Sequence, residues 1–335
     1  MNMFEMIESF PSQIKNQHNS LLDFQFDLSN YKDINNVLIA GMGGSAISGD
    51  IISNFLKNNI SVPVIVLRDY SLPKWVDEKS LVILSSYSGN TEETLSIYNE
   101  SKSCSSMLVS LTTGGLLKEK SKKDNVPCLP MPLGFQPRAA IGSSLISLAM
   151  IFQKLALIDS SFVELLLNAS KELPSFFENY CKDNQYAYQI AEQINNSIIS
   201  IYGTQSGTDV IGSRFRAQLA ENSKILSSHH ILPELNHNEI EGWNENQFKN
   251  MKINIIWLQD EDDHERVKKR IKVTSELLSN IGINSIFISC NGDNSVERHL
   301  KLIFLTDMIS YYLAIINSVD PVPVNRILDL KEKMS

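Results

Sequence analysis

The sequence has no cysteine pair at the spacing of a metal site or a compact disulfide framework. Cys104, Cys128, Cys181 and Cys290 lie far apart, and the six histidines form no HExxH; neither a zinc site nor a disulfide scaffold is expected. A basic excess is lacking too: 30 Lys and Arg against 38 Asp and Glu leave a net charge of −8. General nucleic-acid binding and attachment to an anionic membrane both need a basic face, so neither partner is expected. The N-terminus, MNMFEMIESF, carries acidic residues and no long apolar core, so it does not read as a signal peptide. The most apolar stretch, AAIGSSLISLAMIFQKLALI (139–158), is diluted by serines and cut by Lys154. It reads as a buried helix rather than a membrane span, and the expected location is cytoplasmic.

What is present is the composition of a globular protein. Hydrophobic residues make up 43% of the 335 positions and charged residues 20%, enough for two domains with separate cores. Continuous apolar runs mark strands buried on both faces: NVLIA (36–40), VPVIVLRD (62–69), LVILSSYS (81–88) and SSMLVSLTT (105–113), then SIISIYG (197–203), INIIWLQD (253–260) and NSIFISC (284–290). Helical patterns lie between them, among them AISGDIISNFLKNN with Ile47, Ile51, Ile52 and Phe55 on one face. A long helix over 296–317 and a short one in NRILDLKEKM end the chain. Strand–helix alternation predicts an α/β fold of two similar units, each a parallel sheet flanked by helices. The expected organisation is an N-terminal unit over 1–158, a helical connection over 159–190 and a C-terminal unit over 191–335.

Two loops at expected strand ends carry chemistry. GMGGSAISGD (41–50) follows the first strand and reads Gly41-x-Gly43-x-x-Ala46, close to a dinucleotide-binding turn. Its glycines admit close backbone approach, and its helix start offers unpaired N–H groups. SSYSGNTEE (85–93) follows the third strand, with Ser86, Ser88 and Thr91 in an S-x-S-x-x-T spacing. Asn90 and Glu93 there resemble a capping box, which accounts for one hydroxyl and not for three. With Ser45, these hydroxyls make a neutral cradle for a phosphate dianion. A nucleotide at the first loop needs an acidic residue after the second strand. Asp69 is the candidate, but no hydride-transfer constellation follows it and the second loop stays unexplained.

GMGGSAISGD, SSYSGNTEET, QPRAAIGSSL, LAENSK, ELNHNEIEGW and DPVPV…ILDLK occur in that order over nearly the whole chain. Together they resemble the bifunctional phosphoglucose/phosphomannose isomerases of the sugar-isomerase-domain superfamily. The resemblance implies two sugar-isomerase subdomains and no metal or nucleotide cofactor. It implies interconversion of glucose 6-phosphate and fructose 6-phosphate, with mannose 6-phosphate as a further substrate, in glycolysis or gluconeogenesis. It assigns Gly44, Ser45, Ser86, Ser88 and Thr91 to the substrate phosphate, and Arg138 to the reacting carbons. Glu221 is matched to the base that moves a proton between C2 and C1 through a cis-enediol. His237 is matched to ring opening, contributed in trans within a homodimer, and Lys331 to the ring oxygen, with Lys333 as a register alternative. By residue type alone, Arg138 reads as a surface or ion-paired arginine, Glu221 as a helix glutamate paired with Lys224, and His237 and Lys331 as surface groups. His229, His230 and His299 read as structural or surface residues. The same domain also occurs in regulators that only bind sugar phosphates; these need the cradle but neither a base nor ring-opening groups. An NAD(P)-dependent oxidoreductase is the third reading.

Overall fold

The structure is a computed structural model describing residues 1–205, 207–244, 248 and 250–334. The chain divides into two compact units, one of Glu8–Lys171 with Met1 and the other of Asn2–Ile7 with Glu172–Ser335.

In the first unit, β1 (Asn36–Ala40) is buried at every residue, as are β3 (Ser80–Ser85) and β4 (Met107–Thr112). These are the central strands of a wholly parallel sheet in the order β2-β1-β3-β4-β5, with β2 (Val64–Leu67) and β5 (Cys128–Pro130) at its edges. Burial on both faces is why the central strands read as unbroken apolar runs. The three-residue β5 has no such run and escaped the sequence pattern. Helices connect the strands: α3 (Gly43–Leu56) after β1, α4 (Glu92–Ser103) after β3, α5 (Gly115–Lys123) after β4 and α6 (Ile141–Lys154) after β5. α6 is buried from Ile141 to Phe152, in agreement with its reading as a core helix. After α1 (Met3–Glu8), α2 (Phe10–Leu21) packs on α6 through two buried amides: Gln13 Nε2 donates to Ala139 O (2.8 Å) and Gln17 Nε2 to Ser147 Oγ (2.9 Å).

The 159–190 stretch is helical. It comprises α7 (Ser160–Phe176), which contains the division between the units, a π-helical turn at Phe177–Cys181 and the start of α8 (Tyr186–Ile194). The second unit is a parallel sheet in the order β7-β6-β8-β9, built from β6 (Ile198–Thr204), β7 (Ser228–Leu232), β8 (Ile253–Leu258) and β9 (Asn284–Ile288). The edge strand β7, sequence SHHIL, is half-buried along most of its length, so it too lacks an apolar run. α9 (Thr208–Gln218) follows β6 and α10 (Glu265–Ser279) follows β8. Ser206, between β6 and α9 in the sequence, lies outside the described residues.

α11 (Ser295–Ile316) runs through the core of this unit and is, among the described residues, the one helix long and apolar enough to cross a membrane; 78% of its apolar window is buried within the protein. A buried bidentate ion pair joins α9 to α11: Arg214 Nε and Nη2 reach Asp307 Oδ1 and Oδ2 at 3.0 and 2.6 Å. α12 (Asn325–Met334) closes the chain with no buried residue.

Candidate active site

In an open parallel sheet, ligands bind beyond the carboxyl ends of the strands, where the strand order reverses. In the order β2-β1-β3-β4-β5 that point lies between β1 and β3. The segments leaving these two strands are 41–45, which runs into the start of α3, and 86–91; both lie in the serine- and glycine-rich stretches singled out in the sequence. A Cβ built on Gly41 would stand 2.7 Å from Ser85 O and 3.3 Å from Ser45 Cβ, so the first segment packs closely against the end of β3, where the second begins.

Neither α3 nor α4 has a side-chain cap at its N-terminus. First-turn N–H groups without such a cap are left for a ligand or water, at the positive end of each helix dipole. Ser45 and Ser86 are buried, Ser88 is exposed and Thr91 is half-buried. Ser86 Oγ and Thr91 Oγ1 are 2.9 Å apart, and Gly89 N donates to Ser86 Oγ at 3.1 Å. Asn90 N donates to Ser88 Oγ at 3.2 Å. Asn90 does not complete a capping box for α4: the N-cap is Thr91, and Asn90 Oδ1 accepts from Leu116 N (2.9 Å) at the start of α5. Gly89 has φ +72°, and a Cβ there would lie 1.8 Å from Gly114 O, so no other residue fits this turn. Ser48 is turned away from the cradle, donating to Ser45 O at 2.8 Å.

Arg138 joins the same place. It sits in a 3₁₀ turn, Pro137–Ala139, and is 4% exposed. A Cβ on Gly44 would lie 2.7 Å from Pro137 O and 3.0 Å from Arg138 Cα; the missing side chain lets this backbone lie against the start of α3. The sequence reading missed the residue that braces both parts. Tyr87 OH donates to Pro132 O (2.7 Å) and accepts from Phe135 N (3.0 Å), while Tyr87 O accepts from Thr113 N (3.0 Å). One residue of the serine loop thereby holds the chain leading to Arg138. Burial pushes the Tyr87 phenol above its ordinary pKa, so it stays a neutral donor. An aromatic inside a run of small residues was the available signal.

The remaining assigned residues lie in the second unit. Glu221, half-buried, stands in a π-helical turn, Leu219–Ser223, that continues α9. Its neighbours are pinned to α11: Asn222 Nδ2 donates to Ser310 Oγ (2.9 Å) and Ser223 Oγ to Ser310 O (2.6 Å). Lys224 takes a left-handed conformation, and its Nζ donates to Glu221 O and to Pro323 O. These bonds hold the Glu221 main chain, and π-turns of this kind recur at functional sites. His237 is exposed at the end of a 3₁₀ turn, Glu234–His237. Its loop is anchored by buried Leu235 and by Trp243, whose Nε1 donates to Tyr202 OH at 2.8 Å. Lys331 is exposed on α12, as is Lys333. Two positions apart on a helix, they point to nearly opposite sides.

Two parallel sheets, with a hydroxyl-lined cradle at a switch point, define a sugar-isomerase-type (SIS) α/β protein. A solved structure with this fold is the C-terminal domain of glucosamine-fructose-6-phosphate aminotransferase from Francisella tularensis (TM-score 0.74, 16% identity, covering 95% of this chain and 96% of that one). The model of the bacterial phospho-glucose isomerase C-terminal SIS domain matches residues 183–334. The chain is 38% identical to a bifunctional phosphoglucose/phosphomannose isomerase of Caldicellulosiruptor bescii, with 99% of each chain covered. It is 33% identical to the protein of that name from Aquifex aeolicus, over 99% of this chain and 98% of the relative. The chain belongs to the bifunctional phosphoglucose/phosphomannose isomerase family.

Proposed function

We propose that this enzyme interconverts glucose 6-phosphate and fructose 6-phosphate, and mannose 6-phosphate and fructose 6-phosphate, through a cis-enediol. The observation that carries the reading is the paired cradle at the β1/β3 switch point, with Arg138 held against it by Gly44. A dinucleotide would use the first loop alone; a sugar phosphate gives the serine loop a purpose.

In this reading the N–H groups of α3 and α4, with Ser45, Ser86, Ser88 and Thr91, take the phosphate. His237, from the second subunit of a homodimer, moves the proton that opens the sugar ring, a role suited to imidazole. Lys331 lies near the ring oxygen. Glu221 takes the C2 proton and returns it to C1, while the hydroxyl proton passes from O2 to O1. Arg138 stabilises the enediolate charge and holds the water suited to that second transfer. Because the enediol is planar at C2, glucose and mannose 6-phosphates converge on one intermediate. We place the reaction in the cytoplasm.

The test is a coupled assay of the purified protein on both aldose phosphates with chelator present. Fructose 6-phosphate should form from each. Binding of both sugars without turnover would mark a sugar-phosphate sensor instead.

A further inference from the structure

The N-terminal half of α10, Glu265-Arg-Val-Lys-Lys-Arg-Ile-Lys272, carries five cations in eight residues. Cations are unfavourable there, because the helix dipole places positive charge at that end. Among the described residues, Lys268 is paired, with Glu265 at 2.9 Å. Arg266, Lys269 and Arg270 form no ion pair among the described residues. With spacings of three and one they share a helix face, and they line a cavity of about 340 Å³ whose lining includes no Asp or Glu. In a protein of net charge −8, this is a local positive site.

The cavity also touches the loop that carries His237. Asn236, the preceding residue, forms part of the lining. Its Nδ2 donates to Thr274 Oγ1 (2.9 Å), and Arg270 Nη1 donates to its Oδ1 at 3.4 Å. Ile240, further along the loop, lines the cavity as well.

We propose that this cavity is a second anion site, taking a small phosphorylated metabolite with at least two negative charges. Three fixed cations and a hydroxyl match such a group, and the volume admits a compact molecule rather than a polymer. The ligand draws Arg270 towards itself and off Asn236, loosening one of the bonds that hold the turn before His237. The effect on turnover rests on the role given to His237 above; binding itself does not.

The test titrates inorganic pyrophosphate calorimetrically into three proteins: native, Ser86→Ala/Ser88→Ala, and Arg266→Gln/Lys269→Gln/Arg270→Gln. Removing cations from the start of a helix does not threaten folding. The native chain should take up two pyrophosphates. The triple variant should lose the second, weakened about 10- to 100-fold by three lost charge contacts, and the serine variant should keep it. Tryptophan fluorescence, to which Trp243 on this loop contributes with Trp75 and Trp257, should change with occupancy of the second site in the native and serine variants, and that change should be absent in the triple variant. Unchanged stoichiometry and affinity in the triple variant would overturn the proposal. So would conversion of the triple variant to a different oligomeric state at unchanged stoichiometry, which would make the face a contact between copies of the chain.

Discussion

Ser86 and Ser88 do different work although they are two residues apart. Ser86 is buried and tied to Thr91 and Gly89; Ser88 is exposed and tied to Asn90. Replacing both by alanine removes two hydroxyls from the cradle, while the main-chain bond from Gly89 N to Ser86 O (3.1 Å) remains to hold the turn. Hydrogen bonds to charged groups contribute about 1.5–3 kcal/mol each, so KM for hexose 6-phosphates should rise at least about tenfold. An unchanged KM would move the phosphate elsewhere. Gly44→Ala tests another atom: its methyl must displace the Pro137–Arg138 backbone, so kcat should fall more than KM rises. For Glu221→Gln, kcat should fall ~10²–10⁴-fold, the usual contribution of a general base, while sugar phosphate still binds. The native enzyme in heavy water should place deuterium on C1 of the ketose, with some original hydrogen retained; an unlabelled ketose would indicate a hydride shift and sink the enediol route.

At the scale of elements, α9 positions Glu221, and α9 is itself set by what it packs on. Asp307→Ala strands the buried Arg214 guanidinium, which costs about 3–5 kcal/mol in such pairs; thermal denaturation should show it as a large fall in Tm. On its other side α9 meets β7, where Gly212 comes close to His229 Nε2. Burial, with His230 and Arg216 nearby, lowers the His229 pKa from 6.5 to about 4. The unfolded chain therefore binds the extra proton first. His229 contributes its full stability above pH 6.5, and that contribution is lost as pH falls through 6.5 towards 4. Tm measured over this range should fall less steeply in His229→Gln than in the native protein. Equal slopes would assign the acid sensitivity to other groups.

Elements differed in how readily the sequence disclosed them. The central strands and α6 announce themselves because burial on all sides leaves little room for charged residues, and the polar ones they hold are mostly small. β5 and β7 are edge strands, and α5 buries only Leu117 and Ser121; each is specified by its neighbours rather than by its own pattern. The same division holds for the site. The serine loops could be read from residue type and spacing. Tyr87 as a brace and the π-turn at Glu221 could not, because each depends on contacts far along the chain: Pro132 and Phe135 for one, Ser310 for the other.

On the scale of the whole molecule, the two sheets share one design but not one chemistry. Where the first unit opens hydroxyls at its switch point, the second fills the corresponding place after β6 and β8 with its own side chains. Thr204 Oγ1 donates to Asp263 (2.6 Å), and Arg298 grips Asp260 with Nε and Nη2 at 3.0 and 2.8 Å. Burial pushes the Asp260 carboxyl up, but His299 and Arg298 hold it well below the usual carboxylate range. A fixed carboxylate there repels phosphate, so one cradle per chain is expected, leaving Glu221, His237 and Lys331 as the second unit's share. Whether His237 serves its own chain or a partner is decided by mixing. Glu221→Gln and His237→Ala chains should each be inactive alone. In a two-fold dimer with trans histidines, a mixed pair rebuilds one complete site from Glu221 of one chain and His237 of the other, and its second site carries both defects. Random exchange makes half the dimers mixed, so activity should return to about a quarter of the native level. With histidines acting in cis, every site keeps one defect. Mass-verified exchange without recovered activity would therefore return His237 to its own chain.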